Sequence, residues 1–192
     1  MDIPLFKIFW DERDVESVTK VIRKGTNWAN GSEIVEFENK IAEYAGKTYA
    51  VTFNSGTSAL HAALLANDIG PKDEVIVPSF TFIATANAPL FVGARPIFAE
   101  IEGATYGLNP EDVQKRITSR TKAIMPIHYG GCPCQIKELQ EIAEDNHILL
   151  IDDAAEALGA KIENRKIGSF GDSTIFGFCQ NKIIQPVKGE LL

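Results

Sequence analysis

Positive charge is what this sequence is short of: 19 Lys and Arg stand against 26 Asp and Glu, a formal charge of −7 over 192 residues. No basic cluster offsets that balance, which argues against nucleic acid or an anionic membrane as the main partner. Long apolar runs are missing too, none approaching the roughly 18 residues that cross a bilayer. The opening MDIPLFKIFWDERD mixes acids among its apolar residues and lacks the basic start and small-residue cleavage site of a secretory signal. Cys132, Cys134 and Cys179 are too few and too unevenly spaced for a disulfide framework or a four-ligand zinc site. No metal is therefore expected, and the thiols suit a reducing cytoplasm. Neither GxGxxG nor GxxxxGK[ST] occurs, so the fingerprints of dinucleotide and P-loop sites are absent, which disfavours a nicotinamide dehydrogenase.

What is there is ordinary for a globular chain with one sizeable core: 45% hydrophobic and 23% charged residues. Val15, Val18 and Ile22 fall at helical spacing between Asp11 and Lys24, ahead of a stop at Gly25. Ser32 is placed to cap a second helix with a buried stripe of Phe37, Ile41 and Tyr44, ended by Gly46. Thr48–Phe53 is predicted as a buried strand running into a tight turn, Asn54 to Ser58, and then a helix. Glu74–Pro78, Arg95–Glu100, Lys122–His128 and His147–Ile151 read as further strands. They alternate with helical segments at Ile83–Val92, bent at Pro89, after the Asn109-Pro110 cap, and at Gln135–Asn146. Strands alternating with helices through short connections predict a mainly parallel sheet covered on both faces, with ligands at the carboxyl ends of its strands.

Four features converge on that edge. The turn at 54–58 joins a strand to a helix start, exposing backbone N–H groups at the positive end of a helix dipole, with Ser55, Thr57 and Ser58 adding hydroxyls; this suits a phosphate as well as a plain capped helix. Phe82, just past a strand end, either stacks on a flat ligand or packs in the core. Asp152 and Asp153 end the strand that begins at His147; they can bind a metal, act as acid and base, pair with a cation, or form an exposed turn. Lys182 follows the β-branched and aromatic run Thr174, Ile175, Phe176, Phe178, where an amine shielded from water can act as a nucleophile, and where a surface lysine is the plain alternative. Pyridoxal phosphate asks for all four: an amine to bond its aldehyde, an acid at its ring nitrogen, an aromatic face and a phosphate anchor.

The stretches NSGTSALHAAL, VIVPSFTFIATANA, IDDAAEALGA and GDSTIFGFCQNK, in this order, resemble the DegT/DnrJ/EryC1/StrS family of pyridoxal-phosphate sugar aminotransferases. The resemblance implies an α/β fold, the large domain of fold-type-I, aspartate-aminotransferase-like enzymes. It implies that Gly56, Thr57 and Ser58 bind the phosphate, Phe82 stacks on the ring, Asp153 meets the pyridine nitrogen and Lys182 forms the Schiff base. Glu156 stands where the family has Gln, His or Glu near the phenolic oxygen. The implied reaction is transamination of a nucleotide-linked keto sugar by an amino-acid donor, glutamate by expectation, in amino-sugar or surface-polysaccharide biosynthesis, by a homodimer. Gly177 stands where many relatives carry a phosphate-holding serine. Beyond Lys182 the family's Gly-rich continuation is replaced by QPVKGELL, so the domains expected are an N-terminal helix and loop (1–31), an incomplete cofactor-binding domain (32–184) and a non-family tail (185–192), with the small C-terminal domain missing. A catalytically silent remnant or scaffold is the alternative reading of so short a chain.

Overall fold

The computed structural model describes residues 3, 7–28, 30–179, 181–182 and 190–191. Helix α1 (Glu12–Arg23) opens with a capping box in which the Asp11 carboxylate accepts from the Arg13 amide and Asp14 accepts from the Asp11 amide. Its apolar residues Val15, Val18 and Ile22 fall at the expected spacing but remain exposed. Helix α2 (Ser32–Ala45) is capped one residue earlier than expected: Gly31 is the N-cap and Ser32 already lies in the first turn. Gly46 ends it in the left-handed region at φ +67°. Ala42 and Ala45 are its buried residues, while Phe37, Ile41 and Tyr44 pack half-buried on the core.

Strand β1 is only Thr52–Phe53, not the buried Thr48–Phe53 predicted. Tyr49 and Val51 are exposed, and β1 pairs antiparallel with β9 (Glu190–Leu191), outside the main sheet. The chain then runs through α3 (Gly56–Ala66), β2 (Glu74–Pro78), α4 (Ile83–Phe91), β3 (Arg95–Ala99), α5 (Pro110–Arg116), β4 (Thr121–Ile124) and a 3-10 turn (Tyr129–Gly131). It continues with α6 (Ile136–Asn146), β5 (Leu149–Asp153), the β6 (Lys161–Ile162) and β7 (Arg165–Lys166) hairpin, and β8 (Ser173–Ile175). Residues 183–189, most of the expected tail, lie outside the described residues.

Five strands form one sheet in the order β3-β2-β4-β5-β8, every neighbouring pair parallel. Alternation along each strand divides the core in two. Ile76, Ile124 and Leu150 face Val113 of α5 and Ile136, Leu139 and Ala143 of α6. Val75, Val77, Ala123, Ile151 and Ile175 face Ala59, Leu60, Ala63 and Leu64 of α3 and the alanines of α4. Burial on both faces is why these strands read as continuous apolar runs. Glu74, the one acid inside β2, is buried and held by Arg120 at 2.6 Å and by the Thr118 hydroxyl at 2.6 Å. Gly171, at φ +61°, brings the β8 approach so close to β5 that a Cβ would meet the Leu150 carbonyl oxygen at 2.6 Å. The order places a reversal between β2 and β4: the chain leaves β2 for β3 on one side and returns to β4 on the other.

Candidate functional site

The two acids predicted at the end of a strand are the last two residues of β5, and both are buried rather than set in an exposed turn. Successive side chains point to opposite faces. Asp152 therefore faces the α5–α6 side, where its Oδ1 lies 2.9 Å from Nε2 of the fully buried His128. The contact is close but poorly aligned for a hydrogen bond, and no other described group bonds the Asp152 oxygens. His128 Nδ1 accepts the Cys134 amide at 3.0 Å, so a ring proton belongs on Nε2, toward Asp152. Burial works against charge on this ring, but Asp152 beside it draws its proton affinity above the ordinary value.

Asp153 faces α4. Its Oδ2 accepts the Thr85 hydroxyl at 2.8 Å, its Oδ1 accepts the Ala155 amide at 3.2 Å, and Thr85 is within 2.8 Å of the Thr81 hydroxyl. Burial raises the Asp153 carboxyl above its usual range; the two hydrogen bonds and the charge of Lys182 pull the other way, and Asp152 adds to the rise. The sequence gives no direct sign of Thr85 as the partner; its only trace is a hydroxyl in the largely apolar segment IATANAPLF.

Lys182 follows β8, its Nζ 3.0 Å from Glu156 Oε1, while Glu156 Oε2 accepts the Gly130 amide at 2.8 Å. Burial pushes the Glu156 carboxyl up, yet Lys182 and the Gly130 amide outweigh it and hold the group below its usual range. A cavity of about 670 Å³ opens here, lined by Gly130, Gly131, Glu156, Gly177, Asn181 and Lys182 among others. At Gly177 a Cβ would meet the Ala155 carbonyl oxygen at 2.7 Å, so this backbone approach leaves no room for a serine here. Gly56, Thr57 and Ser58 form the first turn of α3. Ser55 is its N-cap, accepting the Ser58 amide at 3.1 Å, and the Ser58 hydroxyl donates to Asn54 at 2.8 Å. Phe82 is the N-cap of α4 and is 71% exposed. It lies between Thr81 and Thr85, the residues that tie this helix start to Asp153. Among the described residues no cluster of His, Cys, Asp and Glu is suited to a metal ion, and no helix is long and apolar enough to cross a membrane.

Comparison with known proteins bears on this arrangement. The chain is 45% identical over 169 residues to a GDP-perosamine synthase of Caulobacter vibrioides, covering 87% of this chain and 46% of that protein. Among solved structures, an aminotransferase from Psychrobacter cryohalolentis superposes with a TM-score of 0.91 at 34% identity, covering 95% of this chain and 47% of that one. The Escherichia coli GDP-4-keto-6-deoxy-D-mannose-3-dehydratase with bound hydrated PLP gives 0.91 at 26% identity, covering 99% and 50%. The chain thus spans about half the length of the relatives it matches, and has the fold of the corresponding half of these enzymes. Residues 10–190 match one family throughout, and the chain belongs to the DegT/DnrJ/EryC1/StrS aminotransferase family.

Proposed function

We propose that this chain carries the pyridoxal-phosphate site of an aminotransferase that transfers an amino group from an amino acid, glutamate in our reading, to a nucleotide-linked keto sugar. The observation that carries the proposal is a buried acid at the end of β5 with an amine in the segment that follows the neighbouring strand β8. Asp153 is buried on β5, Lys182 follows the adjacent β8, and the lysine is near enough for its charge to act on the carboxyl.

The residues suit the group. Among the described residues Asp153 is hydrogen-bonded by neutral donors, Thr85 and Ala155, which orient its oxygens and leave its charge to meet a protonated ring nitrogen. The first turn of α3 offers the Gly56 and Thr57 amides and the Thr57 hydroxyl to a phosphate, while the Ser58 amide and hydroxyl bond to Ser55 and Asn54 and fix the turn. Phe82 is exposed and so available to a flat ring, and Glu156, in contact with Lys182, would bond the phenolic oxygen. When bound, the cofactor supplies a protonated ring that withdraws electrons from the substrate carbon. Lys182 Nζ, released from the Glu156 carboxylate, is the base positioned to take the proton from that carbon and return it. Asp153 holds the proton on the ring nitrogen. The apolar walls around Asp153 keep water from weakening that contact.

In this reading 1–31 is an N-terminal arm and 32–184 the cofactor-binding unit. Exposed Leu65 on α3 and Ile83, Leu90 and Phe91 on α4 offer an apolar face to a second copy, and the three unpaired thiols fit a reducing cytoplasm. The test is spectroscopic. Mixed with pyridoxal phosphate, the chain is expected to give the absorbance band of the lysine-linked cofactor, and borohydride reduction should fix the added mass on Lys182. A chain that gives no band while remaining folded is a silent member of the family, and the proposal falls.

A further inference from the structure

The reversal of strand order between β2 and β4 marks the crevice where open parallel sheets take their ligands. Three rings gather at that crevice, none of them among the residues assigned above. Phe80 follows the end of β2, Tyr129 follows the continuation of β4, and Tyr106 rides on the loop closed by the Ile101–Leu108 bridge beyond β3. The Phe80 and Tyr129 centroids are 4.6 Å apart, and Tyr106 stands 6.1 Å from Phe80 and 6.4 Å from Tyr129. Their planes are inclined by 45°, 53° and 61°, so they form an open cup rather than a slot between parallel faces. Although they touch one another, they remain 43%, 52% and 38% exposed in chain order.

Tyr106 supplies an independent sign. Its backbone is left-handed, at φ +58°, a conformation that disfavours a bulky side chain and suits Gly or Asn. A half-exposed ring recovers little burial against that strain, and strain held without such return collects at ligand sites. The cup also adjoins the reactive centre: Tyr129 precedes Gly130, whose amide binds the carboxylate that holds Lys182.

We propose that Phe80, Tyr106 and Tyr129 form the subsite for the hexose ring of the substrate, packing against its C–H face. The assignment rests on the nucleotide-sugar reading above and deepens it. A seat next to Lys182 fits the sugar, whose carbonyl must reach that lysine, and not the nucleobase on the far side of the diphosphate. Mutually tilted rings match the puckered, apolar face of a pyranose, whereas a planar base stacks on parallel faces.

Saturation-transfer NMR on the full chain with GDP-mannose and with UDP-N-acetylglucosamine, each against its free nucleotide, tests the assignment. The hexose ring protons of at least one probe should receive the strongest saturation. Tyr106→Gly should weaken that sugar nucleotide about tenfold, the loss of one ring contact, leave the free nucleotide unaffected, and leave the unfolding midpoint unchanged or raised, since glycine accepts the left-handed backbone. Strongest saturation on the base protons overturns the proposal, as does absence of saturation from both probes. Binding indifferent to both Tyr106→Gly and Phe80→Ala overturns it too, as does sedimentation showing that Tyr106→Gly breaks a dimer, which would assign the cup to a second copy. The cofactor band reads the parent function separately: a band without hexose saturation removes the subsite and leaves the function standing.

Discussion

Thr85→Val removes a single hydroxyl from the interior and keeps the branched shape. Thr85 is fully buried, and its hydroxyl donates to Asp153 Oδ2 at 2.8 Å. A hydrogen bond to a buried carboxylate contributes about 2 kcal/mol, which for a chain of this size moves the unfolding midpoint down by about 4 to 8 °C. The pH dependence has a definite sign. Burial raises the Asp153 carboxyl above its unfolded value, so the folded state holds that proton more tightly, and the resulting stability is present in acid and lost as pH rises through the folded value. The Thr85 bond opposes the rise, and deleting it moves the folded value further up. The variant should therefore lose most at pH 8, where the carboxylate faces the apolar wall with one donor fewer, and least near pH 4. Thermal unfolding by circular dichroism at both pH values measures the gap. If Asp153 holds the ring nitrogen, pyridoxal phosphate affinity should fall by up to roughly thirtyfold, the equivalent of that energy. Equal losses of midpoint at both pH values would refute the electrostatic argument, and unchanged cofactor affinity would refute the role of Asp153.

Glu156→Gln should lower the midpoint at pH 7 by an amount that shrinks as the pH falls through the folded value of the carboxyl, because a group held below its usual range stabilises fully above its unfolded value and loses that contribution in acid. Glu156 is partly exposed, so solvent screening keeps the effect under about 1 kcal/mol. Gly171→Ala should destabilise by roughly 2 to 4 kcal/mol, read as a fall in the urea midpoint, since its left-handed backbone and the Leu150 oxygen at 2.6 Å both oppose a methyl group. Asp153→Asn should hold or raise the midpoint at neutral pH while abolishing cofactor binding; its amide can donate to Thr85 and its oxygen accept from Ala155. Asp152→Ala should do the reverse, destabilising the fold by about 1 to 3 kcal/mol through the orphaned His128, read as a lower midpoint, and leaving the cofactor band in place.

The parallel sheet was legible because both of its faces are covered: a strand buried all round must be apolar throughout, and EVIVP at β2 has that signature once Glu74 is granted its Arg120. Thr48–Phe53 carries the same residue types but lies beside the sheet, where Tyr49 and Val51 meet solvent; propensity describes a fit to a pleated surface and cannot say which surface is present. The cap at Ser32 failed for a similar reason, since Gly31 takes the extended backbone of the cap with no side chain to announce it. At the site, the strand-end position of Asp153 followed from the alternation of elements, whereas Lys182 lies seven residues beyond the end of β8 rather than at a strand end; the resemblance supplied the roles expected of both. Thr85 and His128 did not follow. Each meets its acid across 68 and 24 positions of chain, through packing of a helix or a second strand end against β5, and no local pattern encodes such a meeting.

Consecutive carboxylates in a strand covered on both faces pose one problem twice, because each must lie on its own side of the sheet away from water. The two solutions differ. Asp152 is set against an imidazole, a group able to carry a compensating charge at contact distance, and it stands in the half of the core formed with α5 and α6. Among the described residues Asp153 is hydrogen-bonded by a hydroxyl and an amide, which fix its direction without neutralising it, and Lys182, whose charge acts on it, is in contact with Glu156. A carboxyl needed only for folding would be cheaper as an asparagine, which keeps both hydrogen bonds and carries no charge. Retaining the charge at the carboxyl end of the sheet, pointed by two neutral donors, makes sense where a counter-charge arrives with a ligand, and a protonated heterocyclic nitrogen is such a ligand.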